Sequence, residues 1–168
     1  MQGKNKQVLL AARPQGAVKE SDFKIVETDI PALQDGQVLV RNHFLSLDPY
    51  MRGRMDDAKS YAASQGLNEV MIGGTVGEVV ESKNPKYKVG DMVVGMYGWQ
   101  QYGVYDGAGL MKVDTTHIPA SVYLGAVGMP GVTAWYGLTQ IGEPKPGETA
   151  VVSAASGAGG SAVGPLAK

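Results

Sequence analysis

Residues 71–100, MIGGTVGEVVESKNPKYKVGDMVVGMYGWQ, contain the stretch that decides the fold. Two valine-rich runs, GGTVGEVVES (73–82) and MVVGMYGW (92–99), are separated by turn residues that end in KVGD (88–91). Short β-branched runs bounded by glycine, proline and asparagine are typical of strands joined by tight turns. This stretch therefore predicts two consecutive β-strands.

The same pattern extends outward along the chain in both directions. Five further runs read as short strands: QVLLAA (7–12), FKIVET (23–28), QVLVRNHFLSL (37–47), QYGVYD (101–106) and LMKVD (110–114). Glycine accounts for 24 of the 168 residues, about twice the usual ~7%, which favours many tight turns. The region from Lys6 to Asp114 is therefore predicted to be a compact β-barrel or sandwich.

Composition excludes several classes of protein. The net charge is −1 and 43% of residues are hydrophobic, with no basic stripe for nucleic acid and no basic amphipathic helix for a membrane surface. The absence of cysteine rules out disulfides, thiolate zinc sites and a cysteine nucleophile, and it favours a reducing compartment. The N-terminal apolar run, Val8 to Ala12, is too short for a signal peptide. We expect a cytoplasmic protein.

The pattern changes near Ile118. Residues Val132, Trp135, Tyr136 and Thr139 then recur at helical spacing, which predicts one packed helix face, and TAVVSAA (149–155) follows as a continuous apolar run. Such a run is typical of a strand buried in a parallel sheet. A β-rich unit is therefore expected to give way to the start of an α/β unit within residues 118–130.

A glycine-rich loop follows this run, with the spacing Ala154-x-x-Gly157-x-x-Gly160. A strand, a glycine turn and a helix start form the arrangement that binds a dinucleotide pyrophosphate. The alternative is that these small residues only allow close packing. Pro165 falls inside the expected helix, and the acidic or basic residue ~20 positions further on that selects NAD or NADP lies beyond Lys168. We therefore expect the chain to be a fragment.

Five stretches together resemble a known superfamily: SLDPYMRGRM (46–55), MIGGTVGEVVES (71–82), KVGDMVVGMYGWQ (88–100), GAVGMPGVTAWYGL (125–138) and KPGETAVVSAASGAGGSAVG (145–164). They are similar to zinc-independent medium-chain dehydrogenases/reductases, in the branch of alkenal/one oxidoreductases and prostaglandin reductases. Within that branch, bacterial NADPH-dependent curcumin reductases look most similar.

The resemblance implies a mainly β fold with some helix. Residues 1–125 would form a GroES-like β-barrel catalytic domain, and residues 126–168 the first strand and helix of a Rossmann domain. The implied reaction is NADP-dependent reduction of a carbon–carbon double bond in an enone or enal, with this fragment inactive alone and the parent protein a homodimer. A zinc-free quinone reductase and a stand-alone β-rich binding module are the alternatives.

No metal site is predicted. Zinc-dependent relatives carry a Gly-His-Glu motif where this chain has Gly73-Gly74-Thr75, and the usual cysteine ligands are absent. His43 and His117 are expected to be structural or solvated.

The stretch LDPYMRGRM suggests a turn that projects side chains after a strand. By resemblance, Tyr50 would be the catalytic and substrate-binding hydroxyl, and Arg52 would contact the substrate. The other possibility is a packed tyrosine with arginines that anchor the loop, which is the favoured role for Arg54.

The expected cofactor-binding residues come from the resemblance as well. Met129 and Thr133 would approach the nicotinamide, while Gly157, Ala158, Gly159 and Gly160 would approach the phosphates. Met129 and Thr133 also suit a core methionine and a helix-start threonine. Trp99 and Tyr102 are expected either in the core or in the wall of the cleft.

Overall fold

Seven β-strands form in the computed structural model, which describes residues 3–168. They are β1 (Lys4–Leu10), β2 (Phe23–Asp29), β3 (Val38–Leu45), β4 (Thr75–Ser82), β5 (Met92–Gly95), β6 (Tyr102–Tyr105) and β7 (Met111–Lys112). Each overlaps one of the runs predicted from the sequence. The mainly β class with few helices is therefore confirmed.

The strands form two antiparallel sheets. β1 pairs with β2 from Lys4–Asp29 to Leu10–Phe23, and the other five follow the order β6-β3-β4-β5-β7. Two isolated bridges, Gln7–Gln100 and Leu9–Val70, join β1 to segments beside the larger sheet. Within the described residues β6 and β7 are not paired with each other, so the larger sheet is open and not a closed barrel. β7 has only two residues, too few to close the ring.

Two clusters of buried side chains stabilise this β-rich unit. The first consists of Val38, Val40, Val79, Val93, Tyr97 and Leu110. The second, called here the methionine cluster, consists of Leu10, Met51, Met55 and Met71. Tyr50 and Trp99 pack against the methionine cluster, so the hydrophobic effect that closes this core also fixes two candidate site residues.

A β-bulge lies near the end of β3. The β3–β4 register shifts between Asn42 and Phe44, which leaves His43 as the extra residue. A bulge bends the strand and changes which side chains face solvent. Beyond it, Phe44 and Leu45 are exposed, whereas Val38 to Val40 are buried.

The chain divides into two compact units between Asp114 and Thr115. The second unit contains a 3₁₀-helix (Ala120–Leu124), α2 (Met129–Tyr136), a π-helical turn (Gly137–Gly142) and α3 (Gly160–Leu166); α1 (Tyr50–Arg54) belongs to the first. Pro130 occupies the first turn of α2, where its missing N–H costs nothing. The predicted domain boundary between residues 125 and 126 stays a prediction.

The predicted strand TAVVSAA (149–155) is wrong. These residues form no strand, and Val151 is almost fully exposed. The physical reason is the lack of a partner, because the described residues from Thr115 onward contain no other strand that could accept and donate the ladder hydrogen bonds. The predicted helix does form, as α3, and Pro165 lies inside it. Among the described helices, none is both long and apolar enough to cross a membrane.

Candidate functional site

Helix α1 positions Tyr50. Met51 and Met55 lie one turn apart on one face, and both side chains are 3% exposed in the methionine cluster. Pro49 precedes the helix with φ −56°, the backbone angle that proline favours at a helix start. The two buried methionines therefore anchor a five-residue helix that would be marginal by itself, and they fix Tyr50 beside them.

The Tyr50 hydroxyl is buried, and its O–H donates to no acceptor within the described residues, although the Gly74 amide lies close enough to hydrogen-bond its oxygen. Burial raises the pKa of Tyr50 above its ordinary value, and the Asp48 carboxylate raises it further. Arg54 and the nearby Gly74 amide oppose this by lowering the pKa, with smaller effect. The group is therefore a neutral hydroxyl at physiological pH, and its O–H is free to donate.

Arg52 and Arg54 are both engaged in holding loops. The Arg52 guanidinium donates to the Gly16 carbonyl at 3.0 and 3.3 Å and forms an ion pair with Asp56 at 2.6 Å. Arg54 donates to the Ala63 carbonyl. The structure gives Arg52 the loop-anchoring contacts considered above, and its predicted role in substrate binding stays a prediction.

The Gly73–Gly74 segment is enclosed by large side chains. A Cβ at Gly73 would lie 2.7 Å from the Leu45 side chain, 3.0 Å from that of Trp99 and 3.1 Å from that of Met51. These distances are short for a carbon atom, so Gly73 lets the ends of these three side chains pack closely against the backbone. Gly73 directly precedes Gly74, which stands where zinc-dependent relatives carry their histidine.

Met129 and Thr133 both lie exposed on α2, one helical turn apart. The Thr133 hydroxyl donates to the Met129 carbonyl at 2.8 Å. This back-bond uses its proton within the helix and leaves its oxygen able to accept. The structure therefore brings these two predicted cofactor residues together, with no core role for either.

The glycine loop forms a tight turn before α3. The Gly157 amide donates to the Ala154 carbonyl at 2.9 Å, and the Ser161 amide donates to the Gly157 carbonyl at 2.9 Å. A Cβ at Gly160 would overlap the Ala154 carbonyl oxygen and would lie 2.8 Å from the Ala155 Cα. Gly160 is thus required by the turn itself, which is the packing alternative stated from the sequence.

The predicted phosphate-binding role of this turn depends on its backbone amides. Within residues 3–168, the amides of Ala158, Gly159 and Gly160 donate to no other backbone group. No side chain from Gly157 to Gly160 is larger than a methyl group, so an anion can approach these amides closely. The packing role and the phosphate-binding role are therefore compatible.

The two histidines lie apart from any metal-binding arrangement. His43 Nε2 is 3.6 Å from the Glu78 carboxylate, and His117 is exposed. In the part of the chain that the structure describes, no group of three or more histidine, aspartate or glutamate side chains is placed to hold a metal ion.

One buried side chain near the site was missed by sequence reasoning. The Gln65 side chain accepts from the Ile72 amide at 3.0 Å and donates to the Val70 carbonyl at 3.3 Å. It thereby fixes the segment that leads into Gly73 and Gly74. A single glutamine in a polar loop carries no sequence signal for such a role.

Comparison with protein families finds one match over most of the β-rich unit. The profile of a family described as "N-terminal domain of oxidoreductase" matches residues 6–113. These are the residues that form β1 to β7, and the match identifies this region as GroES-like.

Individual proteins match over almost the whole chain. The chain is 48% identical to the NADPH-dependent curcumin reductase of Escherichia coli, over 98% of this chain and 48% of that protein. It is 43% identical to the NADP⁺-dependent 2-alkenal reductase of Nicotiana tabacum, over 98% of this chain and 49% of that protein. The chain spans about half the length of these relatives.

A solved structure agrees with the fold. CurA from Vibrio vulnificus, in complex with NADPH, superimposes with a TM-score of 0.89 and 48% sequence identity. The superposition covers 96% of this chain and 48% of that one.

Proposed function

Since this chain belongs to the medium-chain dehydrogenase/reductase oxidoreductases, whose N-terminal domain it contains, we propose that it is part of an NADPH-dependent, zinc-independent reductase of enones and enals. The observation that carries the proposal is the identity of 43–48%, along 98% of the chain, to reductases of curcumin and 2-alkenals. Both substrates named there contain a carbon–carbon double bond conjugated to a carbonyl.

The chemistry of that reaction demands a hydrogen-bond donor in the protein. When bound, NADPH would supply the hydride for the β-carbon of such a substrate; the carbonyl oxygen would carry the developing negative charge until a proton from solvent reaches the α-carbon. Donors aimed at that oxygen stabilise the transition state more than the ground state. The Tyr50 hydroxyl is neutral and buried, and its proton has no acceptor in the described residues, so it is suited to donate to that oxygen.

The cofactor would be held by the second unit. The free amides of Ala158, Gly159 and Gly160 suit the pyrophosphate, while Met129 and Thr133 would lie toward the nicotinamide. Gly157 contributes by keeping the turn tight through its bond to Ala154. The Arg52 guanidinium donates to the Gly16 carbonyl and pairs with the Asp56 carboxylate. We therefore assign Arg52 to the support of α1 and Tyr50 to substrate binding.

The test joins this chain at Lys168 to the C-terminal half of the E. coli curcumin reductase. We expect the chimera to consume NADPH with curcumin or a 2-alkenal, and the 168-residue chain to show no turnover. Circular dichroism verifies folding of the chimera. A folded chimera that reduces benzoquinone but no enone would make the quinone reductase the correct assignment, and turnover by the chain alone would contradict the requirement for a second half.

Tyr50→Phe in the same chimera tests the assigned donor. We expect about a tenfold loss in kcat, because removing one donor costs ~10²–10³ only where it is the principal stabiliser. The dissociation constant for NADPH should stay unchanged. Tyr136→Phe removes a half-exposed tyrosine hydroxyl of α2 and serves as the control; equal losses in both variants would remove Tyr50 from the mechanism.

A further inference from the structure

The indole N–H of Trp99 is buried and forms no hydrogen bond within the described residues. The indole nitrogen is only a donor, so no acceptor role explains its position. A buried donor without a partner costs about 1–3 kcal/mol, and such groups in native proteins call for an explanation. Stacking on Phe23, with ring centroids 5.4 Å apart, accounts for the burial of the ring but not for the unpaired N–H.

The backbone of Trp99 is held firmly in place. Its amide donates to the Met71 carbonyl at 2.8 Å, and its carbonyl accepts from the Val8 amide at 2.8 Å. The preceding residue, Gly98, donates to the Gly73 carbonyl at 3.0 Å. With its backbone fixed and its ring stacked, the indole is preorganised, and a preorganised donor needs no rearrangement when a ligand binds.

Two donors whose protons have no acceptor in the described residues lie beside the same two glycines. The Trp99 ring carbon adjacent to its nitrogen lies 3.0 Å from the Cβ position of Gly73. The Gly74 amide lies within hydrogen-bonding reach of the Tyr50 oxygen and leaves the Tyr50 proton free. Both side chains pack on the methionine cluster, so apolar side chains adjoin both donors.

A partly exposed, flexible side chain also lies beside Gly73. Leu45, whose end lies 2.7 Å from the Cβ position of Gly73, is 36% exposed. It stands just after the bulge at His43, where β3 turns its side chains toward solvent. A different Leu45 rotamer would move this end away from Gly73.

We propose that the indole N–H of Trp99 binds the carbonyl oxygen of the substrate as a second donor beside the Tyr50 hydroxyl. This inference rests on the proposed function and deepens it. Because a carbonyl oxygen has two lone pairs, it can accept both bonds at once. The site then selects apolar molecules that carry a carbonyl acceptor over hydrocarbons of the same shape.

The test observes the indole proton directly by NMR. The chain has two tryptophans, so nitrogen-15 labelling gives two indole signals, and Trp135→Phe assigns them. The labelled 168-residue chain is titrated without NADPH, which prevents reduction. One ligand is benzalacetone, and the matched control is the same molecule with its carbonyl replaced by methylene.

We expect the Trp99 indole proton to move downfield and to saturate with benzalacetone, because a new hydrogen bond deshields the proton. The hydrocarbon should produce only a small shift, and the Trp135 signal should move with neither. An equal shift with both ligands would mean simple ring contact and would overturn the proposal. No shift of the Trp99 signal up to the solubility limit would also overturn it.

A kinetic arm separates this inference from the proposed function. In the chimera, Trp99→Phe keeps an aromatic ring against Phe23 but removes the N–H, and we expect kcat/KM for benzalacetone to fall about tenfold. Trp135→Phe should leave it unchanged. If the chimera reduces no enone, the proposed function fails while the NMR result still decides the role of Trp99; an active chimera with no carbonyl-dependent shift refutes the Trp99 proposal alone.

Discussion

The two units of the chain differ in how far each completes its own core. In the described residues, every buried apolar side chain except Ala134 lies in the unit that ends at Asp114. The unit from Thr115 instead exposes large apolar side chains, among them Met129, Val132, Trp135, Tyr136, Ile141 and Val151. Yet residues 120–142 and 149–167 contain no charged residue, a composition typical of buried segments.

Backbone pairing explains this difference. The first unit satisfies its strands within two antiparallel sheets, and its buried apolar side chains form two clusters. The second unit has the apolar composition of an α/β layer but no paired strand in the described residues. An apolar segment forms a strand only where a neighbouring strand accepts and donates its backbone hydrogen bonds. Burial of such a segment therefore depends more on strand pairing than on composition.

The largest expected effect is on unfolding of the first unit. Leu10→Ala removes a fully buried side chain from the methionine cluster, and we expect the free energy of unfolding to fall by about 2–4 kcal/mol. Leu166→Ala, at a half-exposed position of α3, should change it by less than ~0.5 kcal/mol. Urea denaturation followed by circular dichroism measures both, and similar losses would contradict the contrast between the units.

The second-largest effect on the free energy of unfolding should come from removing the buried side-chain amide of Asn5. The Asn5 side chain is 5% exposed; it donates to the Tyr102 carbonyl at 2.7 Å and accepts from the Tyr102 amide at 2.9 Å. Asn5→Ala leaves both backbone groups unpaired, at a cost of about 1–3 kcal/mol. Gln140→Ala removes an exposed amide of the second unit and should be nearly neutral. If Asn5→Ala lowered the free energy of unfolding by no more than Gln140→Ala does, water would replace the Asn5 hydrogen bonds without loss of stability.

Sequence patterns predicted local structure well in the first unit. All seven predicted runs form strands. In these runs, the local preference of valine-rich segments between glycine turns agrees with the structure that the fold requires. The pairing order and the bulge at His43 could not be read from the pattern, since they depend on which segments meet. The same limit explains why residues 149–155 form no strand. Their apolar pattern is typical of a strand in a parallel sheet, but the described residues contain no partner strand for them.

The candidate site was predicted only in part. Tyr50 stood out because a proline turn follows a strand, but its lack of a partner is a matter of packing. Arg52 looked equally suited to bind an anion until the structure placed the Gly16 carbonyl, 36 residues away along the chain, against its guanidinium. Whether the Trp99 N–H has an acceptor likewise depends on the groups that surround it in the fold, and a local sequence pattern does not predict them.

The glycine loop offers a smaller and more local test within the second unit. Gly160→Ala places a Cβ against the Ala154 carbonyl, so the turn must shift, at a cost of about 1–2 kcal/mol. Gly137→Ala, at a helical position with open space around it, should stabilise its helix by up to ~1 kcal/mol. Hydrogen exchange at Ser161, Ala162 and Val163, whose amides bond back to this loop, reports the effect. Unchanged exchange in Gly160→Ala would show that the loop is not a specific turn.

The smallest effect concerns pH, and it should arise in the first unit. Lys112 Nζ lies 2.7 Å from the Asp91 carboxylate, and this hydrogen bond holds the pKa of Asp91 below its ordinary value, with help from the Lys88 amide. A carboxyl group with a lowered pKa in the folded state stabilises the protein above its unfolded pKa of about 4, and that stability is lost as the pH falls through the folded pKa.

Lys112→Met should therefore lower the free energy of unfolding at neutral pH by less than about 1 kcal/mol, since the pair is partly exposed. The difference from the unmodified chain should shrink as the pH falls through the folded pKa of Asp91, because the protonated carboxyl no longer pairs with Lys112. Lys112→Arg keeps the charge and is the control. A loss in Lys112→Met that persists unchanged at low pH would assign the contribution of Lys112 to its contact with the Tyr87 ring, 5.4 Å from the ammonium, because that contact does not titrate.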